Sequence, residues 1–332
     1  MDGLTFDDCL RVVDDPRAYE GWRDDFGRSG PYVVDSRVDL PFVADLADRC
    51  RDFGFPERAT ELLVAHRETW DHPAVQRLAA HYQWLVAERY HPSTYLHLGF
   101  PAPPPQCRLF YAYALLGLAG RVGAEQAAVG IDAAVTVATF WDIGQQVMLH
   151  DRIHGEADLR KGWWLCHHLA GWLFRIGRLQ FHRRFADDHH GPAAAGRAFL
   201  DVHIPEDGPL TRAGCDASFA RATRFMAEHF PDDDARWFGC SSWLLDPVLA
   251  EILPEDSNIV DFQRRFQITH IEEGWPSGVF EFVFDRPDLD GAAPPDLHTL
   301  APVTTLQRAI VDHYRAGGRI RPVTGVIEIG DP

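Results

Sequence analysis

The chain has 332 residues, of which 46% are hydrophobic, and its formal net charge at pH 7 is −17. This apolar content suffices for a sizeable core and excludes a disordered chain, and the acidic balance argues against general binding to nucleic acid or anionic membranes. Lys161 is the only lysine, so there is no Walker A motif, and a Schiff-base enzyme would have to use that residue. A local basic pocket for a phosphorylated small molecule remains compatible with these totals.

The six cysteines are widely spaced and contain no CxxC pair. The spacing predicts reduced thiols rather than a disulfide framework or a zinc site. The first residues show no signal-peptide pattern, and no apolar run reaches the roughly 18 residues that a membrane span needs. We therefore expect a cytoplasmic protein with no membrane span, no nucleic-acid partner and no metal.

Apolar residues recur at helical spacing up to about residue 175. The Pro-rich stretch 101–106 is predicted to be a rigid connector within this region. Helices are predicted over 39–55, 74–90, 107–123, 125–154 and 157–177.

After residue 177 the pattern alternates between strand and helix, with a Pro- and Gly-rich surface loop predicted at 287–298. The predicted strands are 178–185, 196–205, 235–247, 278–285 and 322–330, and the predicted helices are 210–231, 303–318 and a short one that leads into a strand over 258–268. The sequence thus predicts an α+β protein. Its N-terminal half, residues 1–155, is mostly helical, and its C-terminal half, residues 156–332, is mixed α/β.

Two histidine pairs suggest chemistry but have plainer explanations. His150 and His154 lie one helical turn apart, as zinc ligands do, but the glutamate of HExxH is absent and a chance pair is the better explanation. His167 and His168 begin a pattern similar to the HHxxxD motif of condensation-type acyltransferases. Trp172 occupies the aspartate position, so polar residues on a mostly buried helix explain this pattern better.

Two further motifs also favour structural explanations. The HxxxxD pattern of glycerolipid acyltransferases starts at His66, His182 and His229, but about two such matches are expected by chance, so three carry no information. Cys240 and Ser242 lie in Gly-Cys-Ser-Ser rather than in a GxSxG elbow, which favours core residues over nucleophiles.

The segment HIPEDGPLT, residues 203–211, is the strongest candidate for a ligand site. It joins a predicted strand to the predicted helix 210–231, for which Thr211 is a plausible N-cap and Pro231 a stop. Free backbone N–H groups at such a turn can hold a pyrophosphate. His203, at the end of the strand, is either a reacting group or a packing residue.

The order of GRLQF, HIPEDGPLT and CSSWLLDPVLAEILPEDSNIVDFQRRF resembles the GNAT-like C-terminal domain of two-domain bacterial acyltransferases. Their N-terminal domain is mostly helical, and the resemblance covers essentially the whole chain. Within this family the chain is most similar to the N-acyltransferases of teicoplanin-type lipoglycopeptide antibiotics. The usual Q/R-x-x-G-x-G/A phosphate signature of GNAT enzymes is replaced here by PEDGPLT.

The resemblance implies a donor and a reaction. Acyl-CoA is the expected donor substrate, and the acceptor is the glucosamine amine of a glycopeptide pseudoaglycone, which attacks the thioester directly. His203 is the expected general base, with His167 and His168 as alternatives, and the backbone near Ile204 stabilises the oxyanion. The residues expected to bind CoA are Ile204, Gly208, Leu210, Thr211, Arg212, Asn258 and Arg264, and those expected to contact the acyl chain or acceptor are Trp163, Trp164 and His167.

Alternatives remain open at the level of the sequence. Trp163, Trp164 and neighbouring aromatics either line an apolar channel for the acyl chain or pack in the core. The acceptor is a glycopeptide or another small molecule that carries an amine or a hydroxyl. A non-catalytic acyl-CoA-binding module would bind CoA without turnover.

Overall fold

The structure, a computed structural model, describes residues 4–29, 42–192, 194–274, 278–290 and 295–329. The chain forms two compact units, Met1–Arg175 and Ile176–Pro332. No helix within these described ranges is long and apolar enough to cross a membrane.

The described part of the first unit is mainly helical. Its helices are α1 (Phe6–Cys9), α2 (Phe42–Asp52), α3 (Glu57–Ala65), α4 (Pro73–Trp84), α5 (Phe110–Ala128), α6 (Ala133–His154) and α7 (Gly162–Leu169). Helix α5 lies in the core, where Tyr111, Tyr113 and Leu115 are fully buried. Short 3₁₀ turns and a π turn at Leu85–Arg89 connect several of the helices.

Two predicted helices of this unit are shorter than expected. The helix predicted over 125–154 is interrupted at Gly130, which has a φ of +83°, and α6 starts afresh after Asp132, whose side chain accepts the Ala134 N–H at 2.8 Å. The helix predicted over 157–177 ends at α7 because Gly171, with φ +72°, redirects the chain. The prediction is wrong for Leu173–Ile176, which form a strand. The predicted start of α2 at 39–41 lies outside the described residues.

In the C-terminal part of the described chain, one six-stranded sheet has the order β1-β2-β3-β4-β6-β5. Its strands are β1 (Leu173–Ile176), β2 (Leu179–Phe185), β3 (Ala198–His203), β4 (Trp237–Ser242), β5 (Gln267–Ile271) and β6 (Val323–Glu328). The helices are α8 (Arg212–His229), α9 (Val248–Ile252), α10 (Asn258–Gln263), α11 (Val279–Phe284) and α12 (Thr305–Arg315). This arrangement confirms the predicted α+β class.

The two faces of the sheet differ in chemistry. On one face, Phe181 of β2 and Phe238 of β4 pack against Phe219 of α8, with ring centroids 5.9 and 4.9 Å from the Phe219 ring. On the other face, the antiparallel register places Gln180 opposite His203 and His182 opposite Asp201. Successive strand residues alternate between faces, so these polar residues share the face opposite α8.

The strand predicted at 278–285 is wrong, because this segment forms α11. The carboxylate of Asp290 accepts the N–H groups of Phe280 and Glu281, each at 2.9 Å, and so satisfies the start of the helix. The ring of Phe280 packs against Tyr314 of α12 at 5.3 Å. The predicted loop 287–298 contains two 3₁₀ turns, Pro287–Leu289 and Leu297–Thr299, and its residues 291–294 lie outside the described chain.

Candidate active site

The end of β3 carries a cluster of ionisable side chains. His203 Nε2 lies 3.5 Å from Asp201 Oδ2, and Arg184 of β2 donates to the same oxygen at 2.9 Å. The His182 ring lies 5.9 Å from the His203 ring. The side chain of His203 is 27% exposed and that of Asp201 is 6% exposed, so solvent reaches the histidine more easily than the carboxylate.

Strands β3 and β4 diverge beside this cluster. Their parallel ladder pairs Leu200 with Phe238 and Asp201 with Gly239. β3 continues to His203 and β4 to Ser242, but within the described chain no later pair joins them. His203 therefore lies where two parallel central strands diverge, and a flat ligand group could approach the backbone of β3 there.

The turn after His203 leads directly into α8. Ile204 is half-buried, Leu210 is buried, and Gly208 has a φ of +124° that favours glycine. Thr211 is the N-cap of α8, as predicted, and its hydroxyl accepts the Gly214 N–H at 3.2 Å. The amides of the first turn ahead of Gly214 are those that an anion could reach.

Arg178 stabilises this turn through hydrogen bonds, a role that sequence reasoning missed. Its guanidinium donates to the carbonyls of Gly208 at 2.6 Å and Pro209 at 3.1 Å. Its backbone N–H donates to Ser218 Oγ of α8 at 2.8 Å. Arg178 thus holds both the turn and the helix from the start of β2, and only the three-dimensional pairing reveals this role.

The predicted CoA-binding residues outside the turn are held in surface ion pairs. Arg212 pairs with Asp261 of α10, and Arg264 lies 3.6 Å from Glu255. Asn258 is the exposed first residue of α10. Neither arginine is an uncompensated cation beside the turn, so each would have to exchange an acidic partner to bind phosphate.

Arg265 ties α10 to α8. It donates to Asp261 at 2.8 Å and to Asp216 at 2.8 Å. The hydrogen bond from Arg265 is the main reason why the pKa of Asp261 is lowered, and the charge of Arg212 adds to it.

The predicted aromatic residues lie in the first unit. Trp163 is 41% exposed, whereas Trp164 is half-buried and donates from Nε1 to Asp142 at 3.1 Å. His167 is buried and hydrogen-bonded to Tyr90. His168 lies 3.0 Å from Asp142.

These contacts show what sequence reasoning missed in this region. Asp142 of α6 supplies a carboxylate beside His168, whereas the aspartate position of the sequence motif is occupied by Trp172. Only a through-space contact between α6 and α7 could have revealed it.

The cysteines have the character of core residues. All six are buried and unbridged, and burial raises the pKa of Cys9 to about 11 and that of Cys107 to about 12. The pKa of the Cys240 thiol is also raised, chiefly by burial. Thiolates, which are the nucleophilic form, are therefore suppressed at neutral pH.

Among the described residues, the His150–His154 pair does not belong to a group of three ligands that could hold a metal ion. Their rings lie 4.4 Å apart, and the two metal-competent clusters among the described residues lie elsewhere, at His182, Asp201 and His203 and at His189, His270 and Glu272.

The chain matches two family profiles in sequence. One is described as an N-acyltransferase N-terminal domain and matches residues 44–171. The other is described as a GNAT-like C-terminal domain and matches residues 173–327. Curated proteins give no significant match.

Solved acyltransferase structures are similar over nearly the whole chain. One is an acyltransferase mutant in complex with octanoyl-CoA, with a TM-score of 0.85 and 29% identity. Another is an acyltransferase in complex with decanoyl-CoA and teicoplanin, with a TM-score of 0.82 and 29% identity. A third is in complex with CoA and 10C-teicoplanin, with a TM-score of 0.82 and 28% identity. Each alignment covers 98% of this chain and 100% of the other.

The two profiles follow one another along the chain, and the second contains the whole strand–turn–helix site. The chain is therefore a two-domain acyltransferase that belongs with the N-acyltransferases whose C-terminal domain is GNAT-like.

Proposed function

We propose that this protein transfers a long acyl chain from acyl-CoA to the glucosamine amine of a glycopeptide pseudoaglycone. The observation that carries the proposal is the position of His203 where β3 and β4 diverge, directly ahead of the turn into α8. The solved relatives that contain acyl-CoA and teicoplanin support the choice of donor and acceptor.

The turn is the proposed cradle for the CoA pyrophosphate. A helix N-terminus carries partial positive charge and unsatisfied N–H groups, which favour an anion. In this proposal Gly208, Leu210 and Thr211 shape the turn, and Arg178 fixes its carbonyls. Arg212, Arg264 and Asn258 are at its margin and contribute only if they leave their present contacts.

The proposed reaction has one transfer step. The amine nitrogen forms a bond to the thioester carbonyl carbon, the carbon–sulfur bond breaks, and CoA leaves as the thiol. His203 takes the proton from the attacking amine and passes one to the leaving thiolate. A backbone N–H near Ile204 would stabilise the negative oxygen of the tetrahedral intermediate.

The ring nitrogens of His203 have different proposed roles. Nε2 is buried 3.5 Å from Asp201 Oδ2, so in this proposal it carries the proton that faces the carboxylate. Nδ1 is then the base. Asp201 acts through His203 as a positioning residue, in the way that carboxylates orient catalytic imidazoles elsewhere.

The aromatic residues of α7 are the proposed acyl-chain contacts. Trp163 is exposed enough to touch a ligand, whereas Trp164 and His167 are held by Asp142 and Tyr90. A change of Trp163 to Ala should alter the preferred chain length if this assignment is right. Unchanged preference across octanoyl-, decanoyl- and dodecanoyl-CoA would leave these residues as packing.

The test of the function is product mass after incubation with decanoyl-CoA and teicoplanin pseudoaglycone. Wild type should give the mono-acylated product, and His203→Ala should slow its formation by about 10²-fold or more. His298→Ala is a matched control on an exposed 3₁₀ turn and should retain the wild-type rate. Saturable acyl-CoA binding without product would discard the acceptor, and absence of CoA binding would discard the turn as its site.

A further inference from the structure

We propose that His182, Asp201 and His203 form a binding site for Zn²⁺, and that the ion reversibly blocks the active site. The three potential ligand atoms lie within 4.8 Å of one another. Zinc binding does not depend on which acceptor the enzyme acylates. The block of catalysis, in contrast, rests on the proposed function of His203 as the general base.

The two strands hold the cluster in place. His182 of β2 and Asp201 of β3 are direct partners in the antiparallel register, and they are only 1% and 4% exposed. His203 lies two residues further along β3, on the same face, and is the more exposed ligand. Because two of the three ligands are rigidly positioned, little ordering is needed for an ion to bind.

The donor set suits zinc. Two imidazoles and one carboxylate leave a fourth, open position in a tetrahedral site, as in many zinc enzymes. Asp201 already accepts a hydrogen bond from Arg184 on Oδ2. A carboxylate has two oxygens and about four lone-pair positions, so one carboxylate can bind an ion and accept a hydrogen bond from Arg184 at the same time.

The separation of the rings is compatible with one shared ion. With zinc–nitrogen distances of about 2.0–2.1 Å, two imidazoles at a tetrahedral angle have centroids roughly 5 Å apart. The centroids of His182 and His203 are 5.9 Å apart and their planes are inclined by 40°. A modest rotation of the more exposed His203 is enough to bring both nitrogens to the ion.

The second histidine cluster provides a contrast. His189, His270 and Glu272 also have ligand atoms within 4.8 Å. The two rings are stacked, however, at 4.0 Å with an angle of only 14° between their planes. Lone pairs that lie in parallel planes do not converge on one ion, so this cluster is a suitable control.

The consequence for catalysis follows from the chemistry of imidazole. A neutral imidazole has one nitrogen lone pair, because the other nitrogen carries the proton. A zinc ion on His203 uses that lone pair, so the ring can no longer accept a proton from the amine. A chelator that removes the ion restores the base.

The first experiment measures binding without turnover. The full-length protein is treated with EDTA, exchanged into chelator-free buffer and titrated with Co²⁺, whose visible absorption reports tetrahedral nitrogen and oxygen ligands. Wild type should bind one ion, and His182→Gln should weaken binding at least about tenfold. His270→Ala, the control, should bind as wild type does. Absence of the absorption band from wild type, or its loss in His270→Ala alone, would overturn the proposal.

The second experiment connects the site to catalysis. Zn²⁺ should inhibit acyl transfer by wild type, EDTA should reverse the inhibition, and the half-inhibitory concentration should rise at least about tenfold in His182→Gln. Each variant is compared with its own metal-free rate. If Co²⁺ binds but no acceptor is acylated, the proposed function fails and the metal site stands. The zinc concentration in this test is high enough to displace Co²⁺ from the site. If acyl transfer then proceeds at the same rate with and without Zn²⁺, the proposed block of catalysis is wrong.

Discussion

At the residue scale, the candidate base depends on a carboxylate that the sequence does not mark. Asp201 is two residues before His203, and its role follows from the register, which also brings Arg184 to the same oxygen. A buried carboxylate is tolerated when it is paired and hydrogen-bonded, and Arg184 provides that pairing. The same carboxylate favours the protonated form of a nearby imidazole.

We expect Asp201→Asn to move the acid limb of the kcat/KM profile to lower pH. The amide removes a negative charge 3.5 Å from Nε2, so the imidazole is protonated less readily and remains a base at lower pH. The profile is measured with decanoyl-CoA between pH 5 and 9. Asp312→Asn, on the exposed side of α12, should leave it unchanged. A uniform loss of rate at every pH would mean that Asp201 is merely structural.

The thiols lead to a prediction about the nucleophile. Cys240 is 1% exposed, and its raised pKa keeps it protonated well above neutral pH. Cys240→Ala should therefore keep kcat within about twofold of wild type while costing roughly 1 kcal/mol of stability from the small cavity. Steady-state kinetics and urea denaturation separate the two effects, and Cys215→Ala in α8 is the matched control. A loss of kcat comparable to that of His203→Ala would instead indicate a covalent acyl-enzyme.

At the element scale, the segments that were predicted correctly are those whose signals are local. Helix α8 has its cap at Thr211 and its stop at Pro231 within the segment itself, so both ends could be identified from the sequence. Strand β3 and the following turn were found in the same way. The candidate base and the turn were accessible to sequence reasoning for this reason.

The segments that were predicted wrongly depend on distant partners. The alternation of residues 278–285 suggests a strand, but Asp290 caps them as helix α11 and Tyr314 provides a packing surface. Asp142, Arg178 and Arg184 were missed because each acts on residues far away in sequence. Periodicity reports which face a residue occupies, but it does not report which partner it meets.

Close packing between α5 and α7 gives a prediction about a glycine. A Cβ on Gly162 would lie 2.6 Å from Cγ of Tyr111. Tyr111 is fully buried and is fixed by its hydrogen bond to the Pro101 carbonyl at 2.6 Å. Gly162→Ala should therefore destabilise the protein by about 1–3 kcal/mol in urea denaturation, despite the better helix propensity of alanine.

Gly123→Ala is the control for this prediction. It lies within α5, and its added Cβ would meet only Thr136 Cγ2 at an ordinary 3.6 Å. We expect the alanine there to be neutral or to stabilise by up to about 1 kcal/mol. Equal effects of the two substitutions would show that the contact with Tyr111 relaxes without cost.

At the scale of the whole molecule, the net charge of −17 opposes an anionic donor such as CoA. The proposed turn increases this electrostatic repulsion, because Glu206 and Asp207 are exposed within it. Arg212 and Arg264, the nearest predicted cations, already face acidic partners. Long-range repulsion should therefore slow the encounter, whereas the backbone of the turn provides the short-range binding energy.

The association rate constant of CoA should accordingly rise several-fold as NaCl is increased from about 20 to 300 mM, since the Debye length falls from roughly 20 Å to about 6 Å. Stopped-flow tryptophan fluorescence measures this rate. Glu206→Gln combined with Asp207→Asn should raise the low-salt rate and flatten the salt dependence, whereas the same change of charge at exposed Asp312 and Glu328 should do so much less. An association rate that falls with salt would mean that arginines exchange their acidic partners early enough to attract the donor. Arg212 and Arg264 would then be part of the entrance to the site and not only of its margin.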